Sequence, residues 1–127
     1  MLEMLAETSR ETLQMKEGAR PRWLSRAREI LQERFSERVT LTRLAADVGV
    51  HPAYLAVAFR RHHQCGIGEY LRRLRVEFAC RELSGTDAPL AEIALDAGFS
   101  HQSHFSRTFK RHTGLTPAQY RSAFRRS

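Results

Sequence analysis

The sequence predicts an all-α fold of about seven helices, arranged as two tandem helix-turn-helix subdomains joined by a long linking helix. Apolar residues recur three and four positions apart along most of the chain, and no segment shows the alternation of a half-buried strand. A stretch of about fifty residues also occurs twice. The 127 residues carry 21 basic and 14 acidic side chains, so the chain is strongly cationic.

Four segments follow from these patterns. Residues 1–20 contain only a weak apolar stripe and close on a charged stretch with a glycine, which is typical of a marginal helix followed by a linker. Such a tail fits the end of an upstream domain outside this chain. The predicted segments are this tail at 1–20, a first helix-turn-helix subdomain at 21–66, a linking helix at 67–83 and a second subdomain at 84–127.

The starts and ends of the predicted helices are indicated by residue types that favour those positions. Proline suits the first turn, threonine accepts a hydrogen bond from a free N–H, and glycine adopts the left-handed conformation that ends a helix. Helices are expected to start near Pro21, Thr40, Pro52, Ile67, Pro89, His101 and Thr116, and to end near Phe35, Gly49, His63, Leu83 and Gly114. A turn is expected at 84–87. The linking helix is expected to bury Ile67, Tyr70, Leu71, Leu74, Phe78 and Ala79.

The repeated segment is a short helix, a glycine turn, and a longer basic helix closed by an aromatic residue. Residues 41–49 align with 90–98 at an offset of 49, and residues 55–70 align with 105–120 at an offset of 50. Apolar, glycine and basic positions match in kind. A single helix-turn-helix pattern is a weak signal, but its occurrence twice with matched core positions is strong.

Several classes of function are excluded by what the sequence lacks. No apolar run approaches the ~18 residues that span a bilayer, so no membrane partner is expected. Cys65 and Cys80 have no paired spacing and are expected to be reduced packing residues. His62-His63 and His101-x-x-His104 lack partners to complete a metal shell. The sequence contains no nucleophile–base pair, so an enzyme is not predicted. Neither a metal nor a cofactor is expected.

The positive charge is concentrated after residue 20. The first 20 residues hold three basic and four acidic side chains, whereas the remaining 107 hold 18 basic and ten acidic ones. Each cationic side chain set against a phosphate releases condensed counterions, so this excess favours a polyanionic partner.

The second repeat carries a recognisable series of residues: Ile93-Ala94, Gly98-Phe99, Ser103, Phe105, Arg107, Phe109-Lys110, Gly114, Thr116-Pro117 and Tyr120-Arg121. In this series the chain resembles the DNA-binding domain of the AraC/XylS family of bacterial transcription regulators. The resemblance covers about residues 22–124. The first repeat departs from the family pattern at three positions, where Gln64 replaces the usual glycine, Gly66 a Ser or Thr cap, and Val57 a frequent arginine.

The resemblance implies that the longer helix of each repeat lies in the major groove of DNA. Glutamine pairs with adenine, arginine donates two hydrogen bonds to guanine, and serine or histidine adds single polar contacts. The candidate base-reading residues of the second repeat are His101, Gln102, Ser103, His104, Ser106 and Arg107. A solvated helix face is the alternative explanation for the same residues.

The longer helix of the first repeat offers few hydrogen-bonding groups. Its candidates for base contact are Ala53, Tyr54, Ala56 and Val57, whose apolar members can touch thymine methyl groups. Phosphate contacts are expected from Thr40, Arg60, Arg61, Lys110 and Arg111. Arg72, Arg73 and Arg75 of the linking helix are either further phosphate contacts or a solvated charged face.

The sequence thus predicts a sequence-specific double-stranded DNA-binding domain of a bacterial transcriptional regulator, with two recognition helices in successive major grooves. The alternative is a basic helical module that binds an acidic protein without reading DNA sequence. The resemblance implies RNA polymerase as a further partner and, in many members, an effector-binding or dimerisation domain upstream. A cytoplasmic location on the nucleoid is expected.

Overall fold

A computed structural model describes residues 20–125 of the chain, and every regular element in that range is an α-helix. The all-α expectation is therefore confirmed. In chain order the helices are α1 (Arg22–Arg34), α2 (Leu41–Val48), α3 (Pro52–His63), α4 (Ile67–Gly85), α5 (Leu90–Ala97), α6 (Gln102–Thr113) and α7 (Pro117–Phe124). None of these helices is both long enough and apolar enough to cross a membrane.

The described residues form two compact units. Of the residues described, the first unit contains 20–33 together with Val39–Tyr70, and the second contains Arg34–Arg38 together with 71–125. The short connection after α1 is thus part of the second unit, and α4 contributes its first turn to one unit and the rest of its length to the other.

The core of the first unit is built by one apolar face from each of three helices. Spacings of three and four positions place these residues on one side of each helix, where burial removes their apolar surface from water. The buried residues are Leu24, Ala27, Ile30 and Leu31 of α1, Leu44 and Ala45 of α2, and Leu55, Ala58 and Phe59 of α3.

The core of the second unit repeats this plan with more aromatic residues. Its buried cluster comprises Val76, Ala79 and Leu83 of α4, Ile93, Ala94 and Ala97 of α5, Phe99, and Phe105 and Phe109 of α6. Tyr120 of α7 packs edge-on against Phe109, with ring centroids 5.4 Å apart. This contact docks α7 on the cluster.

Left-handed residues end four of the helices. Gly49, Gly98 and Gly114 close α2, α5 and α6 with φ of 77°, 105° and 83°. Gln64 closes α3 with φ of 65°, in the place where the sequence comparison expects a glycine. It is the one residue other than glycine with positive φ among those described.

Helix starts are capped largely as the sequence predicts. The Thr40 hydroxyl accepts a hydrogen bond from the Arg43 N–H at the start of α2. Thr116 and Gln119 form a reciprocal capping box at the start of α7, with Pro117 in the first position. His101 and Pro89 stand just before α6 and α5 as cap residues rather than inside them.

The linking helix differs from its prediction in length and in which residues it buries. It continues to Gly85, into the segment where a turn is expected, and the Ser84 hydroxyl there donates to the Cys80 carbonyl. Val76 and Leu83 are buried, although they are not in the predicted buried set of this helix. Four predicted core residues are only half-buried, namely Ile67, Tyr70, Leu74 and Phe78.

Both cysteines are free thiols, as predicted. Burial raises the pKa of the Cys80 thiol above its usual range. A hydrogen bond with Cys80 raises the pKa of Tyr120. Cys80 and Tyr120 both pack against the buried cluster of the second unit.

Two arginine side chains donate hydrogen bonds to backbone carbonyl groups. Arg75 of α4 donates from Nε to the Phe35 carbonyl at 2.7 Å and from Nη2 to the Glu37 carbonyl at 3.1 Å. Arg121 of α7 donates to three carbonyls, that of Leu83 in the last turn of α4 and those of Thr86 and Ala88 just after it. Both guanidinium groups satisfy acceptors that loops leave open. Arg75 is therefore not a solvated charge, because its guanidinium group is engaged with backbone oxygens.

Candidate nucleic-acid interface

The second repeat presents a polar face on α6. Phe105, Thr108 and Phe109 are buried, and this fixes the opposite side of the helix toward solvent. The exposed residues on it are Gln102, Ser103, His104, Arg107, Lys110 and Arg111, with His101 exposed just before the helix and Ser106 half-buried. All the base-reading candidates of this repeat therefore lie on or beside one helix face.

The N-terminus of α6 adds hydrogen-bond donors to this face. The side chain of the cap residue His101 does not accept a hydrogen bond from the first N–H groups of the helix. In α3, by contrast, the His51 Nδ1 atom accepts from the Ala53 N–H at 3.1 Å. The first turn of α6 thus keeps N–H groups available to an anion.

The first repeat presents a face of different chemistry on α3. Leu55, Ala58 and Phe59 are buried there. Val57 is 57% exposed. Ala53 is exposed, whereas Ala56 and Tyr54 are half-buried. The Tyr54 ring lies against the indole of Trp23 from α1.

The predicted phosphate contacts lie toward the C-terminal end of each longer helix. Arg60 and Arg61 of α3 and Lys110 and Arg111 of α6 are exposed at equivalent positions of the repeat. The Arg60 guanidinium lies over Gly66, where an added Cβ would come within 2.9 Å of its Nη2 atom. Gly66 therefore leaves room for Arg60 at the position where the family pattern has a hydroxyl.

The linking-helix arginines take different roles. Arg73 is exposed, Arg72 is half-buried, and Arg75 is held by backbone carbonyls. Of these three predicted candidates, Arg73 alone is exposed. A long-range hydrogen bond to backbone has no local signature in a sequence, so this role of Arg75 is not predictable from the residue pattern.

A cluster of cationic and imidazole groups lies at the C-terminal end of α3. The Arg20 Nε atom donates to the Nε2 atom of His62 at 2.7 Å. The His63 ring packs on Phe59 and Tyr70, and its Nε2 atom is buried without a hydrogen-bond partner. Burial, followed by the charges of Arg20, His62 and Arg28, lowers the pKa of His63 to about 4. His63 is thus a neutral packing residue.

Acidification is expected to destabilise the first unit through His63. The pKa of this group falls from 6.5 to about 4 on folding. The unfolded chain therefore gains the proton first, and stability is lost as the pH drops through this interval. Because solvent screens the partly exposed ring, we expect a loss of about 1 kcal/mol between pH 7 and pH 5.

Urea denaturation at both pH values checks this expectation. The His63→Gln variant has no group that titrates at this position, so its stability should change less than that of the parent. If the variant loses as much stability as the parent on acidification, another group is responsible.

Metal binding finds no geometric support in this region. Within residues 20–125, no three histidine, cysteine, aspartate or glutamate side chains converge on a point where an ion could sit. His62 is instead engaged with Arg20, and His104 with the ring of Phe99.

Comparison with known proteins points to one family. A family model described as a helix-turn-helix domain matches residues 44–123. The chain is also 36% identical over 93 residues to an uncharacterised HTH-type transcriptional regulator of Staphylococcus aureus strain COL, a match that covers 73% of this chain. The chain spans only 12% of the length of that relative.

Solved structures give the same indication. The C-terminal domain of AraT, a response regulator from Geobacillus stearothermophilus, matches with a TM-score of 0.81 and 32% identity, covering 84% of this chain and 89% of that domain. A transcriptional regulator of Chromobacterium violaceum with an AraC-type DNA-binding domain matches with a TM-score of 0.74 and 28% identity, over 79% and 89% of the two chains. The DNA-binding domain of AdpA, a global transcriptional factor in complex with a target DNA, matches with a TM-score of 0.76 and 27% identity, over 80% and 91%.

Proposed function

The chain belongs to the AraC-type helix-turn-helix DNA-binding domains, and from this membership we propose that it binds specific double-stranded DNA sequences and controls transcription initiation. The observation that carries the proposal is the matched pair of longer helices. In both α3 and α6 one face is fixed in a core, and the opposite face offers side chains suited to base edges and, at its end, two cationic side chains.

The two helices are proposed to read DNA by different chemistry. On α6, Gln102 supports pairing with adenine, and Arg107 supports a two-bond contact to guanine. On α3 the exposed Val57 and Ala53 favour contact with thymine methyl groups. We therefore assign most of the hydrogen-bonded specificity to α6, and a methyl preference with general affinity to α3.

Phosphate contacts are proposed to fix the orientation of the domain on the duplex. Arg60, Arg61, Lys110 and Arg111 are exposed cations near the ends of the two recognition helices. The Thr40 oxygen accepts from the Arg43 N–H, so the hydrogen of its hydroxyl can still be donated to a phosphate. These contacts carry little sequence information and make binding sensitive to salt.

Further parts of the proposal concern the whole regulator. Its partners are proposed to include RNA polymerase and a covalently attached effector-binding or dimerisation domain. Its place in the cell is proposed to be the cytoplasm, on the nucleoid. The large unmatched share of the S. aureus relative is consistent with additional domains in such proteins.

Selection of bound sequences from random duplexes tests this function most directly. We expect a site with two conserved blocks about 10–11 base pairs apart, because successive major grooves recur once per helical turn. The block read by α6 should contain guanine and adenine, and the block read by α3 should be rich in thymine. A strict guanine requirement under α3 would contradict the assignment.

Competition with unselected DNA separates this function from the alternative. A regulator keeps its selected duplex in the presence of excess random duplex, because base contacts add to the phosphate contacts. A basic module that recognises an acidic protein would show no selected sequence at all. Loss of binding to selected and random duplexes at the same competitor concentration would overturn the proposal.

A further inference from the structure

Each recognition helix carries an aromatic ring at its third residue, and each ring lies against a second ring from outside the helix. Tyr54 of α3 and His104 of α6 are equivalent positions of the repeat. The centroids of Tyr54 and Trp23 are 5.4 Å apart, and those of His104 and Phe99 are 5.3 Å apart. Both distances are typical of favourable aromatic pairs.

The two supporting rings come from different parts of the chain. Phe99 stands in the turn between α5 and α6 and is 2% exposed. Its equivalent in the first repeat is Val50, which has no ring. There the support is supplied instead by Trp23 of α1. The duplication of one backbone motif therefore does not by itself account for the two pairs.

A supported ring has an advantage in binding. Immobilising a mobile side chain at an interface weakens binding by about fivefold, and a ring already held by a neighbour avoids most of that loss. Tyr54 is half-buried and His104 is exposed in the first turn of their helices. A phenol hydroxyl and an imidazole nitrogen are both groups that can donate to or accept from base edges.

We propose that Trp23 and Phe99 are positioning residues that hold Tyr54 and His104 in the conformation in which these rings contact DNA. The proposal rests on the proposed function, because it concerns the same two recognition helices. It adds a residue on α1, Trp23, to the determinants of DNA binding, although α1 itself carries no predicted base contact.

Trp23 offers the cleaner test because it is not part of the buried core. It is half-buried and lines an open cavity of about 510 Å³ with Arg22, Arg26, Asp47 and Val48. Its substitution leaves the fully buried Leu24 and Ala27 of α1 unchanged in sequence. The Trp23→Leu variant removes the ring, whereas Trp23→Phe retains one.

The experiment measures binding of a selected duplex and a random duplex by wild type, both Trp23 variants, Tyr54→Ala and the Trp23→Leu/Tyr54→Ala double variant. We expect Trp23→Leu to weaken binding of the selected duplex about fivefold. Trp23→Phe should bind as wild type does, and random-duplex binding should not change. Trp23→Leu should have no further effect once Tyr54 is alanine, since its effect passes through that ring.

Two outcomes overturn the positioning role. One is a loss with Trp23→Leu that adds to that of Tyr54→Ala, and the other is an equal loss on selected and random duplexes. Wild-type preference for the selected duplex is measured in the same assay, so its absence would identify failure of the proposed function itself. If wild type prefers the selected duplex and Trp23→Leu prefers it equally, the positioning role is refuted while the proposed function stands.

Fluorescence keeps the proposal testable if Trp23→Leu does not fold. Trp23 is the single tryptophan of the chain, so its emission reports on the Trp23–Tyr54 pair without substitution. Contact of DNA with Tyr54 should change this emission with the selected duplex, and the change should be smaller in Tyr54→Ala. An emission that the selected duplex leaves unaltered would contradict the proposal.

Discussion

Replacement of Gly98 by alanine is expected to destabilise the second unit by about 3 kcal/mol, because two separate penalties act at this position. The backbone has φ of 105°, which side chains with a Cβ rarely adopt. The added Cβ would also lie 2.9 Å from the Cα atom of Ser36 and 3.0 Å from its carbonyl oxygen. These are backbone atoms, so they cannot move aside by rotating a side chain.

The surroundings of Gly98 make relaxation costly. The same Cβ would lie 3.0 Å from the Arg75 Nε atom. That atom donates to the Phe35 carbonyl, so displacement of the guanidinium would break a hydrogen bond that holds residues 34–38 on the second unit. Strain at Gly98 is therefore expected to spread to this connection.

Gly49 is the matched control, since it occupies the equivalent position in the first unit. Its φ is 77°, but an added Cβ would have no neighbour within 4 Å. Gly49→Ala should thus cost only the conformational penalty of about 1 kcal/mol. Urea denaturation of both variants measures the difference. Equal losses would show that contact with Ser36 contributes nothing.

Replacement of Arg107 by alanine is expected to weaken binding of the selected duplex by about ten- to a hundredfold. One well-formed pair of hydrogen bonds to guanine contributes about 1–3 kcal/mol of discrimination. Arg107 is exposed on α6, and Phe105 and Phe109, both fully buried, fix the rotation of that helix. Preference for guanine at one position should disappear with the side chain.

Two further variants separate base reading from charge. Arg107→Lys keeps the positive charge but lacks the planar fork, so it should lose guanine preference while retaining affinity for random DNA. Lys110→Ala should weaken selected and random duplexes alike and lower the salt slope by about one. Titrations at several salt concentrations provide both quantities. If Arg107→Ala behaves as Lys110→Ala does, Arg107 contacts phosphate and not a base.

The features that sequence predicted well are those with local causes. A left-handed helix end needs glycine or a residue that tolerates positive φ, so Gly49, Gly98 and Gly114 were identifiable from the pattern alone. The solvent face of α6 was identifiable because Phe105 and Phe109, four residues apart, define the buried side. Gly98, Phe105, Phe109 and Gly114 are also among the positions that carry the family resemblance.

The features that sequence missed have distant causes. Arg75 bonds to a carbonyl 40 positions away, and Arg121 to one 33 positions away. On a helix each looks the same as a solvated arginine. Spacing groups Trp23 with the apolar residues of α1, but it is only half-buried. Its contact with Tyr54 depends on how α1 packs against α3. Ser84 and Gly85 have local turn propensity, so their inclusion in α4 was not predictable from their own residue types.

The three carbonyl contacts of Arg121 bear on how this unit tolerates evolutionary change. A guanidinium bound to backbone oxygen recognises the course of the chain and not the identity of the residues that supply the oxygens. Substitutions at Thr86 and Ala88 that preserve the backbone path leave these hydrogen bonds intact. Sequence change in the segment before α5 therefore does not have to weaken the attachment of α7. Arg121 itself has no such freedom, because a lysine lacks the branched donors to reach three acceptors together.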